Sequence, residues 1–331
     1  MLTFVASLAL LASSPVFAAP EAAKELVTAA SSSTRPVECA ARGQTGRAPS
    51  IWERSRAPQR AAYCTAIAEA HARLVADPEG ATSAMKRADS AWPGRAATRV
   101  VAARLALAKG DAAGSLAAFD EALTIDPRAA NDPATLRDHA RALARGGRRS
   151  EAHVAYRALA PQAALLPLPA RAEALVEAAL VAMMAIEPGP KEVVAIRAGE
   201  PLALLREARS LGSTPIFAET ALVYALALDR AGDAPGATRE LAHAVRLGAS
   251  LDRATALASE PADALALGAL LAESTDRGKA AVLWDRYLSA PASTTWLEAA
   301  SKRRDALRAG SGAGATQGKA AAPRPKKKVK P

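Results

Sequence analysis

The sequence predicts an all-α chain, a solenoid of antiparallel helix pairs, and three observations carry that expectation. Half of the 331 residues are hydrophobic but only 4% are aromatic. That balance suits closely packed alanine-rich helices, because strands draw on β-branched and aromatic residues. A small–bulky–small spacing then recurs along the chain, seen most clearly as Ser115, Phe119 and Ala122 in KGDAAGSLAAFDEALTIDP. Residues at these offsets share one helix face and let a partner helix approach closely. Finally, glycine before the unit and proline after it punctuate each repetition, as Gly110 and Pro127 do here.

Taken in order, Leu2 to Ala12 is an apolar run too short to span a bilayer, broken at Ser13, Ser14 and Pro15. Val16-Phe17-Ala18 then places small residues where a signal peptidase reads, so residues 1–18 are expected to be a cleaved leader and the mature protein to be exported, periplasmic in a bacterium. No Lys or Arg precedes the apolar run. Residues 19–57 are mixed, with a short helix expected over Glu21–Ala30 and loops in SSSTRP and RGQTGRAPS. From 58 to 309 the pattern is helical. Pairs are expected at 58–76 with 79–93, 94–110 with 111–127, 131–147 with 148–161, 168–188 with 200–213, 214–232 with 233–249, and 262–274 with 276–291. The fourth pair is degenerate and split by GPKEVVAIRAG, and a solitary helix follows at 293–310 as a polar cap. The anchoring small residues stand at 81, 115, 152, 237 and 280, giving steps of 34, 37, 85 and 43. The last segment, 310–331, is low in complexity and expected to be disordered.

The formal net charge of +10 does not by itself point to nucleic acid. The tail holds Lys319, Arg324, Lys326, Lys327, Lys328 and Lys330 with no acid, so the rest of the chain is left with an ordinary +4. Few aromatics are available for stacking on bases, and nucleic acid is an unlikely partner on that ground. In an exported protein the tail is suited to anionic lipid, polysaccharide or an acidic protein. Cys39 and Cys64 both lie in the mature N-terminal part; an oxidising compartment permits a bridge, and a Cys39–Cys64 disulfide is expected in the exported protein, two buried thiols being the alternative.

Sites for chemistry are sparse. His71, His139, His153 and His243 are scattered, with no HExxH, no CxxC pair, no phosphate-binding glycine loop and no paired-carboxylate bundle signature; Glu173 and Glu177 share a helix face without a second such pair. No cofactor, metal, small-molecule substrate or catalytic residue is expected.

A helix–turn–helix unit with a period near 34 is that of tetratricopeptide repeats. Gly110, Phe119, Ala122 and Pro127 resemble the second-helix half of that repeat and Ala103 its small first-helix position, with Ser115 in place of the usual alanine. The resemblance covers roughly 58–309. It implies a right-handed superhelix whose first helices line a concave groove, and binding of a protein or peptide segment without chemistry. Carried onto this chain, the groove positions are Tyr63 and Arg73 in the first repeat, Val100, Arg104 and Leu107 in the second, and Arg137, Arg141 and Arg145 in the third. The last three also stand four apart and so form one helical stripe. Guanidinium groups there favour an acidic segment or a terminal carboxylate. The expected function is therefore an envelope scaffold for protein binding, the alternative being a nucleic-acid-associated or cytosolic adaptor that uses the tail and the arginine stripe.

Overall fold

The computed structural model describes residues 36–39, 51, 55, 57–186, 197–258, 260–290 and 296–316. The leader at 1–18, the Glu21–Ala30 helix, most of the GPKEVVAIRAG loop and the basic stretch 317–331 lie outside the described residues. Among the described residues there is no strand, and helices follow one another as α1 (Gln59–Arg73), α2 (Pro78–Ala91), α3 (Ala96–Ala108), α4 (Ala112–Ile125), α5 (Pro133–Arg145), α6 (Arg149–Leu159), α7 (Leu168–Met184), α8 (Gly199–Ser210), α9 (Phe217–Arg230), α10 (Ala234–Arg246), α11 (Leu251–Leu257), α12 (Pro261–Glu273), α13 (Arg277–Ser289) and α14 (Leu297–Thr316). A 3-10 turn, Val37–Cys39, precedes them, and another, Ala160–Leu165, joins α6 to α7.

The second hairpin shows how sequence becomes structure. Helix α3 ends where Gly110 takes φ +80°, a left-handed conformation that costs glycine nothing, and the Asp111 N–H turns back to the Ala106 carbonyl at 2.9 Å. Asp111 then starts α4, its carboxylate accepting the Gly114 N–H at 2.8 Å. A Cβ at Gly114 would come within 2.2 Å of that carboxylate, so glycine at this place lets the cap close. Pro127, which cannot continue a helix, follows the last turn. In between, Ser115, Phe119 and Ala122 are fully buried, and Phe119 and Ala122 pack with Val100, Ala103 and Leu107 of α3. Burying a side chain of Phe size contributes about 1.5–3 kcal/mol.

The same seam runs through the chain. Ala81, Ala152, Ala237 and Ala280 are buried at the small position, and Tyr156, Leu241 and Trp284 at the bulky one. In α8, where no small anchor is legible, Pro201 occupies that place, with Leu205 and Ala208 buried behind it at the same offsets. Each hairpin packs on itself (α1 with α2, α3 with α4, α5 with α6, α7 with α8, α9 with α10, α12 with α13), and the first helices also touch in succession, α1–α3–α5–α7–α9–α12. First helices thus form one continuous layer and second helices the other, the layered arrangement of a helical solenoid.

Two features differ from expectation. Helix α11 is an insertion of seven residues between the fifth and sixth hairpins, capped by Ser250 and burying Ala254 and Leu257; so short an apolar set gives no period to read. Helix α14 packs on α13 and runs to Thr316, past the limit set at Ala309. Among the described residues no helix is long and apolar enough to cross a membrane.

Candidate functional site

Across the first-helix layer the predicted arginines meet carboxylates of the chain itself. Arg104 of α3 donates to Asp138 of α5 at 2.6 Å. Arg137 of α5 donates to Glu173 at 2.7 Å and to Glu177 at 2.9 and 3.0 Å, both on α7. Arg141 donates to the same Glu177 carboxylate, to which Tyr156 also donates at 3.2 Å. Three guanidiniums thus face three carboxylates. Glu177 is 3% exposed and Arg137 8%. Burial pushes the Glu177 carboxyl up, but the two arginines outweigh it and hold the group below the usual carboxylate range. For Arg137, burial acts to lower the pKa, and Glu177 and Glu173 together raise it instead.

Three of the arginines expected to line the groove are thus engaged within the chain. Arg137 and Arg141 tie α5 to α7, and Arg104 ties α3 to α5, so a partner's carboxylate would have to displace one already in place. Arg73 sits apart on α1 with Glu69 at 3.0 Å and Asp77 at 3.3 Å, about half exposed. Val100, Leu107 and Tyr63 are core residues. Arg145 alone of the predicted set has no carboxylate partner among the described residues; burial and the neighbouring Arg141 lower its pKa.

A cleft lies on the first-helix side of the first three hairpins, with a volume of about 190 Å³. Its walls are the turn Pro36–Cys39, α1, the N-terminal half of α3 and the α4–α5 connection. Cys39 is bonded to Cys64 of α1, with Cα atoms 5.7 Å apart. The turn is held a second way: Glu38 accepts from the Tyr63 hydroxyl at 2.9 Å and from the Ala97 N–H, at the start of α3, at 3.3 Å. A carboxylate at a helix N-terminus completes the exposed donors there and suits the macrodipole. Burial first, then Glu38, raises the Tyr63 pKa, so its proton stays in that bond.

The other polar walls are equally determined. Asp132 caps α5, accepting the Thr135 N–H at 3.1 Å. Asp126 accepts from the Arg128 N–H at 2.9 Å and from its guanidinium at 3.2 Å, contacts that hold it below the usual carboxylate range. His71 of α1 places Nδ1 3.0 Å from Arg104 Nη1. Guanidinium nitrogens only donate, so Nδ1 accepts and the proton sits on Nε2. Burial, then the charge of Arg104, pushes the His71 pKa down to about 3. Ala96, Ala97, Val100, Ala129 and Pro36 supply the apolar part.

Val100, expected in a concave groove, is one of the residues that line this cleft, whereas Glu38, His71 and Asp132 were not singled out as site residues. The ion pairs did leave a signal: Asp138 stands 34 residues after Arg104, and Glu173 and Glu177 36 after Arg137 and Arg141, close to the repeat period.

No protein-family model and no curated protein matches the chain. Among solved structures, PilF of Pseudomonas aeruginosa is 18% identical over 69% of this chain and 91% of its own, with a TM-score of 0.43. A tetratricopeptide repeat protein from Parabacteroides merdae is 14% identical over 74% and 99%, with a TM-score of 0.42. PilW, a type IV pilus biogenesis factor, is 18% identical over 58% and 79%, with a TM-score of 0.39. At these scores the likenesses carry no argument. The chain is a tetratricopeptide-repeat-like array on the strength of its own hairpins, seam and layered order.

Proposed function

We propose that the protein is a non-catalytic scaffold that holds a segment of a partner protein in the cleft between the Pro36–Cys39 turn, α1, α3 and the α4–α5 connection. The observation that carries this reading is the cleft itself. It opens on the first-helix layer, mixes apolar and polar walls, and is large enough for a side chain or two, since a cavity of about 150 Å³ admits benzene. Its groups suit holding better than chemistry: Asp126 and Asp132 serve turns and caps, and a histidine with a pKa of about 3 is a poor base near neutrality. A partner held through arginines, as the sequence suggested, is less well supported, because Arg104, Arg137 and Arg141 are engaged within the chain and only Arg145 is left for an acidic segment.

Placement in the envelope is part of the proposal, supported by the leader pattern of residues 1–18 and the Cys39–Cys64 bond, which an oxidising compartment maintains. The basic tail is proposed to contact anionic lipid or polysaccharide there.

A photo-reactive phenylalanine analogue in place of Asn131, on the cleft wall, tests the reading in the native cell. Irradiation is expected to give an adduct with a partner protein that the same analogue at the exposed Val154 of α6 does not give. No adduct at Asn131, or equal adducts at both places, would reject it. Fractionation with mass measurement of the mature chain tests the location; an intact leader on cytosolic protein would reject export.

A further inference from the structure

The charge of the cleft runs opposite to that of the chain. Among the described residues three carboxylates, Glu38, Asp126 and Asp132, line it against one guanidinium, Arg128, and Arg128 is engaged by Asp126. His71 is neutral. Arg95, at the start of α3, lies over the Trp92 ring at 3.8 Å and is not part of the lining. Glu38 and Asp132 therefore face the cleft without a cation of their own. Their hydrogen bonds come from a hydroxyl and from backbone N–H groups at helix N-termini, which fix the carboxylates and offset their charge only in part. A second observation is independent of the acids. With Nδ1 taken by Arg104, His71 has its Nε2–H left, and no acceptor for it occurs among the described residues. The cleft thus offers negative charge for a cation and one neutral donor for a carbonyl.

Resting on the scaffold reading above, we propose that the partner segment is basic: a lysine or arginine side chain enters between Glu38 and Asp132, and a neighbouring backbone carbonyl accepts from His71. The apolar walls at Ala96, Val100 and Ala129 suit the methylene stem of such a side chain. Glu38 owes its place to the Cys39–Cys64 bond and to Tyr63, so the disulfide builds half of the site.

The test is fluorescence anisotropy at low salt with the oxidised full chain. The probes are a labelled alanine–lysine peptide and twins with glutamate or glutamine in place of lysine. The lysine peptide is expected to bind and to weaken as salt rises. Glu38→Gln and Asp132→Asn keep shape and hydrogen bonding, asparagine being as good a cap as aspartate. Each is expected to weaken the lysine peptide roughly two- to fivefold, the size of one partly exposed charge pair. Cys39→Ser with Cys64→Ser is expected to weaken it similarly, and circular dichroism checks that the helices persist. Equal binding of the glutamate or glutamine peptide, no binding of any, or no effect of both charge-removing variants would overturn the proposal. The adduct at Asn131 separates the two readings: an acidic cross-linked segment would overturn the basic ligand and leave the scaffold standing.

Discussion

At the scale of single residues, the buried ionisable groups decide how the molecule responds to pH and to substitution. His71 has a folded pKa of about 3 against an ordinary value near 6.5. The folded state therefore holds the imidazole neutral where the unfolded chain would protonate it. The stability gained from keeping it neutral is complete above pH 6.5 and is lost as pH falls toward 3. In that window the slope is about 1.4 kcal/mol per pH unit for one proton. Urea titrations of the wild type and His71→Gln between pH 7 and about 4 should show a shallower pH dependence in the variant; equal slopes would mean that His71 protonates freely in the fold. Glu177 acts in the same direction at lower pH, because its arginines hold its pKa below the unfolded value and its contribution disappears as pH falls through the folded one. Replacing Glu177 with alanine leaves Arg137 and Arg141 with a buried charge that Glu173 and Asp138 balance only in part. Such a change is expected to cost about 3–5 kcal/mol in urea unfolding, whereas Arg73→Ala, on an exposed pair, should stay within about 1 kcal/mol.

At the scale of elements, the hairpin is the unit whose design the sequence shows best. The seam positions Ser115, Phe119 and Ala122 were legible because helical offsets translate directly into one buried face, and all three are fully buried. Phe119→Ala should therefore destabilise by about 3–5 kcal/mol, read in the same titration. Asp-x-x-Gly, which starts α2 at Asp77, α4 at Asp111 and α10 at Asp233, is an equally local signal, since each aspartate accepts the N–H of the glycine three residues on at 2.8–2.9 Å. Pro201 in α8 hid the fourth hairpin's seam, because sequence alone does not tell that a proline in the first helical turn can pack like an alanine. The site was less legible than the fold. The arginines were placed on the correct helices, but a basic stripe reads the same whether it faces solvent or the next helix's carboxylates. The cleft depends on the Pro36–Cys39 turn, set against α1 and α3 by contacts 25 and 59 residues apart in sequence, beyond any local period.

At the scale of the whole molecule, the core is unevenly distributed along the array. From α7 to α14 the buried residues form one continuous cluster, from Ala172 through Leu222 and Leu267 to Ala300. It is reinforced at its far end by Arg303, which reaches Asp229 of α9 at 2.7–2.8 Å and Glu273 of α12 at 2.6 Å. The first three hairpins instead hold separate, smaller clusters, one in α1–α3, one in α3–α5 and one in α5–α7. In an array where each unit leans on its neighbours, opening begins where the interfaces are smallest. The Cys39–Cys64 bond falls at that weaker end and closes a loop of 25 residues' separation. Loop-closure entropy assigns such a link roughly 3.5 kcal/mol. Amide hydrogen exchange should accordingly find lower protection in α1–α4 than in α9 and α12, and reduction should lower it further in α1–α3 while leaving α9 and α12 unchanged. Uniform protection along the chain, or a reduction effect spread evenly to α12, would show that the molecule opens as a single cooperative unit and that the disulfide acts on the whole rather than on the end that carries the cleft.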